Sequence, residues 1–188
     1  TGDPNDPYEI ATAEHILSIG ADRDLMDKHF VLINDIDLDP NLPGRRIFNR
    51  AVIGDATPAR AEFGGSFSGG GHIIRNLVIV SEGSHPIGLF ASLARGARVE
   101  QLGIENARIS GTNTVGILAG QNGGTIAACY STGTVRCRSL PRDSTGDTGS
   151  GASDVLTEMM AIYGRRYVPQ ELDPGRRTRV VTRAGGLV

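Results

Sequence analysis

The sequence predicts an all-β fold, a right-handed β-helix or β-solenoid with coils of about 25–28 residues. Three observations lead to this prediction. Glycine is abundant, at 26 of 188 residues, aromatic residues make up only 5% of the chain, and a short apolar motif recurs along it. Such a composition suits stacked short strands joined by tight corners better than a bundle of helices.

The recurring apolar motif sets the predicted coil length. It occupies positions 74–79, 99–104 and 126–131. Its central position is held in turn by Leu77, Leu102 and Cys129, one predicted coil apart each time. A single coil cannot bury its own inner face, so stacked coils should place these three side chains in one interior column. Ile79 and Ile104 should form another.

A second motif recurs at a similar interval. It occupies positions 87–92, 115–120 and 184–188, and the step from Gly88 to Gly116 again matches one predicted coil. The last two copies are separated by more than one coil, which predicts an insertion over residues 138–183. That insertion should hold a flexible loop and a short helix from Asp154 to Tyr163. Residues 184–188 would then begin a further coil.

Residues 1–40 are predicted to form an N-terminal cap, a helix followed by a first strand. Thr12 is a suitable N-cap for a helix that runs through Ile19 and ends at Gly20. The strand at residues 30–38 alternates apolar and polar residues, so one face should carry Phe30, Leu32, Ile36 and Leu38. A solenoid needs an atypical end of this kind because a bare terminal coil exposes its core and its edge. The coils proper are predicted over residues 41–137.

Residues 63–77 read Phe-Gly-Gly-Ser-Phe-Ser-Gly-Gly-Gly-His-Ile-Ile-Arg-Asn-Leu. This segment resembles the phrase that precedes the repeats of bacterial GLUG-motif β-solenoid proteins. Residues 115–120 and 184–188 look like the Gly-Leu-Val-Gly phrase that names the motif, and residues 34–38 look like the opening strand. The resemblance implies a secreted or surface, adhesin-like protein and supplies no catalytic residues. The spacing in residues 74–79 also suits a leucine-rich repeat, but the Gly-rich phrase before it favours the solenoid.

The charge distribution bears on the partners. Residues 1–40 carry ten acids against Lys28 and Arg23, a net charge of −8, whereas residues 41–137 carry nine arginines against five acids, or +4. This asymmetry argues against nucleic-acid binding by one basic face and favours head-to-tail contacts between copies, which give filaments if they do not close. No apolar run approaches the roughly 20 residues that span a bilayer. The expected location is extracellular or the cell surface, with other surface proteins, glycans or copies of the chain as partners.

Two groups of side chains are candidate binding sites. Asp35, Asp37 and Asp39 alternate along the predicted strand, so their carboxylates should share one outward face and could hold Ca²⁺ with further oxygen ligands. The alternative, a solvated strand face that discourages edge pairing, is favoured. The second group is a basic and aromatic cluster that could grip an acidic polysaccharide or a phosphate backbone, or simply be a solvated face: Tyr163, Arg165, Arg166, Tyr167, Arg176 and Arg177.

No catalytic residue or cofactor besides Ca²⁺ is predicted. His72 follows three glycines and is expected to fix the turn into the next strand by hydrogen bonding, and the glycines themselves are expected at corners. Cys129 is expected to be a small buried residue, with a Cys129–Cys137 disulfide as the alternative. The predicted function is a non-catalytic extracellular module for adhesion, ligand binding or surface assembly. The alternative, a polysaccharide lyase or hydrolase on a β-helix, rests on fold analogy alone.

Overall fold

A computed structural model describes residues 1–54, 62–112 and 114–138. Residues in strands and isolated β-bridges make up 43% of this part and helices 9%, so the all-β prediction is confirmed. The strands are β1 (Tyr8–Ile10), β2 (His29–Leu32), β3 (Ile36–Asp37), β4 (Ser66–Ser68), β5 (Ile73–Arg75), β6 (Val78–Val80), β7 (Phe90–Leu93), β8 (Arg98–Glu100), β9 (Gly103–Gly111), β10 (Ala119–Asn122), β11 (Thr125–Ala127) and β12 (Tyr130–Cys137). Helix α1 spans Ala13–Ala21, and a 3₁₀ turn follows at Arg23–Leu25. The predicted insertion after residue 138 and the predicted coil at 184–188 lie outside the described residues.

The strands form three sheets. One has the order β1-β2-β4-β8-β11, the second β12-β9-β5-β3 with β6 also on β9, and the third joins β10 to β7. Every pairing between these strands is parallel. Each sheet therefore grows by one strand with every pass of the chain along the same path. Neither helical segment in the described part of the chain has the length and apolar character that a bilayer span requires.

The core lies between the sheets and extends through all the successive passes of the chain. In the first sheet, Phe30 pairs with Phe67, Phe67 with Val99, and Val99 with Ile126. The first three of these side chains are buried, and Phe67 meets Phe90 edge to face across the core at 5.6 Å between ring centroids. Because each inward side chain rests on its counterpart in the next pass, the stacked passes share one continuous apolar interior.

The passes become shorter along the chain. The step from Phe30 to Phe67 is longer than the step from Phe67 to Val99, which is longer in turn than the step from Val99 to Ile126. The predicted coil length holds for the last of these passes only. The earlier passes are longer because the chain leaves the sheets for extra segments, such as the one between β3 and β4.

One step of the predicted register is wrong. Ile74 pairs with Ile104 and Ile79 pairs with Ile109, each one full pass further on, so Ile79 and Ile104 do not share a column. By the same register Leu77 does not lie on Leu102, whereas Cys129 does, because Tyr130 pairs with Gly103. The error has a physical origin: the same apolar spacing occurs twice within one pass, at positions 99–104 and again from Ile104 to Ile109. Spacing alone cannot choose between them, because both segments offer apolar residues at equivalent positions.

Helix α1 begins as predicted but ends later. The Thr12 side chain accepts a hydrogen bond from the His15 N–H at 3.3 Å, which is N-cap geometry. The helix continues to Ala21, so Gly20 lies inside it instead of ending it. A Cβ at Gly20 would come within 1.8 Å of the Val52 carbonyl oxygen. Glycine is needed there because the following part of the chain packs directly against the helix backbone.

The predicted strand at residues 30–38 is two strands in different sheets. The chain bends at positions 33–35, where Ile33 is exposed, and β2 and β3 lie on either side of the bend. The predicted inward face is still correct, since these four residues are all buried: Phe30, Leu32, Ile36 and Leu38. The bend preserves the alternation, because residues separated by an even number of positions keep the same orientation. The strands of residues 1–40 thus extend the same sheets as the later strands.

Candidate functional site

An open groove of about 330 Å³ crosses one corner of the strand stack. It is lined by Gly70, Gly71, Gln101, Leu102, Gly103, Ala128 and Tyr130, and we call it the corner groove. Three successive passes turn there through residues with positive φ: Gly71 at 83°, Gln101 at 52° and Ala128 at 50°. The repeated left-handed turn sends the chain from one sheet to the next at the same point in each pass. The groove is therefore built mostly from backbone and small residues.

Tyr130 forms one wall of the corner groove. Its ring lies directly on Gly103, where an added Cβ would meet the ring carbon Cζ at 2.6 Å. The Tyr130 hydroxyl donates to Glu105 Oε1 at 2.8 Å, and the residue remains 36% exposed. Partial burial and then the Glu105 carboxylate raise the pKa of Tyr130, so the phenol stays protonated at neutral pH. The ring is thus a fixed, partly exposed aromatic surface beside the groove.

A row of charged side chains begins at Glu105 and crosses the outer face of the second sheet. Arg75 pairs in register with Glu105 and lies between two acids. Its Nη2 donates to Asp35 Oδ2 at 3.1 Å, and its Nε donates to Glu105 Oε2 at 3.4 Å. We call Asp35, Arg75, Glu105 and Tyr130 the polar ladder. It connects side chains from four successive passes of the chain.

Asp35 closes the polar ladder at one end. Its Oδ1 accepts the backbone N–H of Ile73 at 3.0 Å and lies 3.3 Å from His72 Nδ1. The Ile73 hydrogen bond, followed by the His72 hydrogen bond and the charge of Arg75, lowers the pKa of Asp35. Asp35 is therefore a carboxylate at neutral pH, and its contacts hold the start of β5 in place.

A second polar row follows the next corner. Asn106 Nδ2 donates to Asn76 Oδ1 at 2.6 Å, and Asn76 Nδ2 donates to Asp37 Oδ1 at 2.8 Å. Both asparagines have positive φ, at 59° for Asn76 and 53° for Asn106. Asparagine tolerates this conformation better than most residues with a side chain. The row links the turns of three successive passes.

Comparison with known proteins gives a local similarity. The chain is 32% identical over 162 residues to halomucin of Haloquadratum walsbyi, in an alignment that covers 85% of this chain. The chain spans only 2% of the length of halomucin. No family model matches the sequence, and no solved structure matches it.

The three predicted calcium ligands do not share a strand face. Only Asp37 lies in a strand, because the chain bends at Asp35 and β3 ends before Asp39. Each carboxylate accepts hydrogen bonds from the protein: Asp35 from Ile73, Asp37 from Asn76, and Asp39 from Asn41. In the described ranges, no three or more His, Cys, Asp or Glu side chains are grouped closely enough to hold a metal ion. Calcium binding stays a prediction.

His72 and the glycines before it lie at the predicted corner. The His72 N–H donates to the Gly69 carbonyl at 2.8 Å, which closes the turn, and the ring contacts Asp35. A Cβ at Gly69 would approach the Gln101 carbonyl oxygen to 2.2 Å, so the backbones of adjacent passes touch there. The prediction of a hydrogen-bonded turn at His72 is confirmed.

The cysteine prediction is also confirmed. Cys129 is buried, no disulfide joins it to Cys137, and burial raises the pKa of the Cys129 thiol. The predicted basic and aromatic cluster at positions 163–177 lies outside the described residues.

Sequence reasoning missed the polar ladder. Asp35, Arg75 and Glu105 lie far apart in the sequence, and no local motif connects them. The usable signal was the strand register, since pairing Ile74 with Ile104 brings Arg75 beside Glu105. The predicted register aligned positions 74–79 with positions 99–104, so it did not place Arg75 beside Glu105.

Proposed function

We propose that the chain is a non-catalytic extracellular module with a β-solenoid fold, and that it binds a glycan through the corner groove. The observation that carries the proposal is the placement of Tyr130. A partly exposed aromatic ring, fixed against Gly103 and hydrogen-bonded to Glu105, borders an open groove with polar groups beside it. Sugar rings present apolar faces to aromatic rings and hydroxyls to polar side chains, so this combination suits a carbohydrate.

The solenoid itself is supported by the strand order. Parallel pairing in every sheet and left-handed turns at Gly71, Gln101 and Ala128 are the expected features of stacked coils. The corner roles of Gly69 and His72 support a relationship with the GLUG-motif solenoid proteins, whose phrase these residues match. The extracellular setting is supported by that resemblance and by the similarity to halomucin, which is a surface or secreted protein.

The polar ladder favours binding over glycoside hydrolysis. A glycosidase pairs a protonated carboxylic acid with a carboxylate that attacks or activates water. Asp35 instead has a lowered pKa and accepts from Ile73 and Arg75, while both oxygens of Glu105 accept from Arg75 and Tyr130. These acids are engaged in positioning their neighbours. Neighbouring surface proteins and further copies of the chain remain proposed partners alongside glycans.

The test is a glycan array probed with the full chain and two variants of one residue. Tyr130→Ala removes the aromatic wall, and Tyr130→Phe keeps the ring while removing only the hydroxyl. We expect Tyr130→Ala to abolish the strongest signals and Tyr130→Phe to retain them. A parallel incubation with EDTA tests whether Asp35, Asp37 and Asp39 add a calcium-dependent contribution. Release of shorter sugars, or equal signals from both variants, would contradict the proposal.

A further inference from the structure

A second outward face, away from the polar ladder, is basic. It is formed by β6 and by the carboxyl-terminal halves of β9 and β12, where Ile79, Ile109 and Val135 are buried. The alternate residues on β9 and β12 point outward. They are Arg108, Ser110, Thr134 and Arg136, which we call the basic strip.

The strand register arranges the basic strip as two alternating pairs. Arg108 pairs with Thr134, and Ser110 pairs with Arg136. The two arginines therefore lie on adjacent strands and two positions apart, which puts their Cα atoms roughly 8 Å from each other by standard sheet spacings. Each guanidinium has a hydroxyl opposite it on the neighbouring strand. Charge and hydroxyl groups thus alternate in both directions across the strip.

The arginines of the basic strip differ from three arginines elsewhere in the described chain that are held in ion pairs. Arg45 pairs with Glu14, Arg75 with Asp35 and Glu105, and Arg98 with Glu100. No ion pair joins Arg108 or Arg136 to any acid in the described ranges. Glu105 is the acid closest in sequence to Arg108, and both its oxygens are already engaged by Arg75 and Tyr130.

Exposed apolar side chains border the basic strip. Val80 on β6 is 51% exposed and pairs in register with Ser110. Ile47 is 56% exposed, and the Phe48–Ile79 bridge brings it alongside the same strand. A ligand that lies across β6, β9 and β12 therefore meets apolar surface first and two guanidinium groups next.

We propose that the basic strip binds an acidic polysaccharide, with Arg108 and Arg136 each contacting a carboxylate or sulfate group. Guanidinium groups recognise such oxyanions through paired hydrogen bonds. The ligand is an acidic polymer with apolar sugar faces, because the strip places two cations, followed by the exposed Arg138, beside Val80 and Ile47. A nucleic acid fits less well, because a strip of a few cations beside exposed Val80 and Ile47 offers few phosphate contacts. This inference rests on the proposed function as a binding module and adds a second site with a stated ligand class.

The experiment measures binding of the full chain to dextran sulfate, to polygalacturonate and to uncharged dextran by affinity electrophoresis. The test variant is Arg108→Gln with Arg136→Gln. The control variant, Arg95→Gln with Arg98→Gln, removes the same charge from exposed positions elsewhere in the stack. Thermal unfolding of each variant verifies that the fold is intact.

We expect the acidic polymers, and not dextran, to retard the wild-type chain. The test variant should bind about tenfold more weakly or worse, because two charge-assisted contacts are lost. The control should change by less than about twofold. Equal weakening in both variants, equal retardation by dextran, or tighter arginine-dependent binding to a DNA duplex would overturn the inference.

The same samples separate this inference from the proposed function. If the polysaccharide is shortened during incubation, the chain is an enzyme, and the non-catalytic function fails even where binding depends on Arg108 and Arg136. If the polymer keeps its length and binding ignores both arginines, the inference fails while the proposed function stands.

Discussion

Asn106 lies one pass beyond Asn76, and its side-chain Nδ2 donates to the side-chain oxygen Oδ1 of Asn76 at 2.6 Å. Both residues hold the left-handed backbone conformation at the same corner, with φ of 53° and 59°. Stacked asparagines therefore serve two purposes: they tolerate the turn, and they bond to each other along the stack. The row continues to Asp37 through the Asn76 amide.

The asparagine corner predicts a difference between two substitutions. Asn106→Ala should destabilise the chain by about 1–2 kcal/mol more than Asn106→Gly, because alanine is disfavoured at positive φ and glycine is not. Both variants lose the same side-chain hydrogen bond, so their difference reports backbone terms alone: the positive φ that alanine disfavours, offset in part by the greater freedom of glycine in the unfolded chain. Urea unfolding followed by circular dichroism measures it. Equal midpoints would mean that the corner relaxes when its side chain is removed.

The continuous core predicts opposite outcomes for two aspartate substitutions. Leu102 is fully buried, so Leu102→Asp places an unpaired charge in the core and should unfold the chain or cost more than about 4 kcal/mol. Arg98 is mostly exposed and pairs with Glu100, so Arg98→Asp should cost only about 1 kcal/mol. Melting temperatures of the two variants provide the test. Similar values would be incompatible with an inward Leu102.

The packing on helix α1 predicts that a favourable helix substitution will destabilise. Alanine is normally better than glycine in a helix by about 1 kcal/mol. At Gly20, however, the added Cβ would meet the Val52 carbonyl oxygen at 1.8 Å, so Gly20→Ala should lower the melting temperature. Gly64→Ala is the matched control, since its nearest non-neighbour atom would be the Met26 oxygen at 3.9 Å. A melting temperature unchanged at Gly20 would show that the helix is not held against Val52.

The Glu14–Arg45 ion pair predicts a pH-dependent difference in stability. Hydrogen bonds from the Glu14 backbone N–H and then from Arg45 lower the pKa of Glu14 from 4.5 to about 2. Because the folded pKa is the lower one, the contribution is present above about pH 4.5 and is lost as the pH falls towards 2. At about pH 6 the melting temperature of the wild-type chain should therefore be slightly higher than that of Glu14→Gln. This difference should shrink as the pH is lowered. The gap is small because the Glu14 side chain is 63% exposed. A gap that widens in acid would contradict the assigned pair.

The residues that sequence reasoning located correctly act through local chemistry. Thr12 caps a helix through a backbone N–H three positions away, and His72 closes a turn onto Gly69. The inward residues from Phe30 to Leu38 follow from strict alternation, which survives the bend between two sheets. Each of these features depends on neighbours within a few positions, so composition and spacing were sufficient to predict it.

The sequence by itself determined that the chain forms short strands with an inward apolar row and glycine-rich corners. Tertiary structure decided which strands meet. Ile74 lies beside Ile104 because a complete pass, and not the nearest similar spacing, returns the chain to the same sheet. That choice brings Arg75 onto Glu105. The separate pairing of β9 with β12 sets Arg108 diagonally across from Arg136. Partners in a parallel sheet come from distant parts of the chain. Their register is fixed by packing of the whole interior, which no local pattern contains.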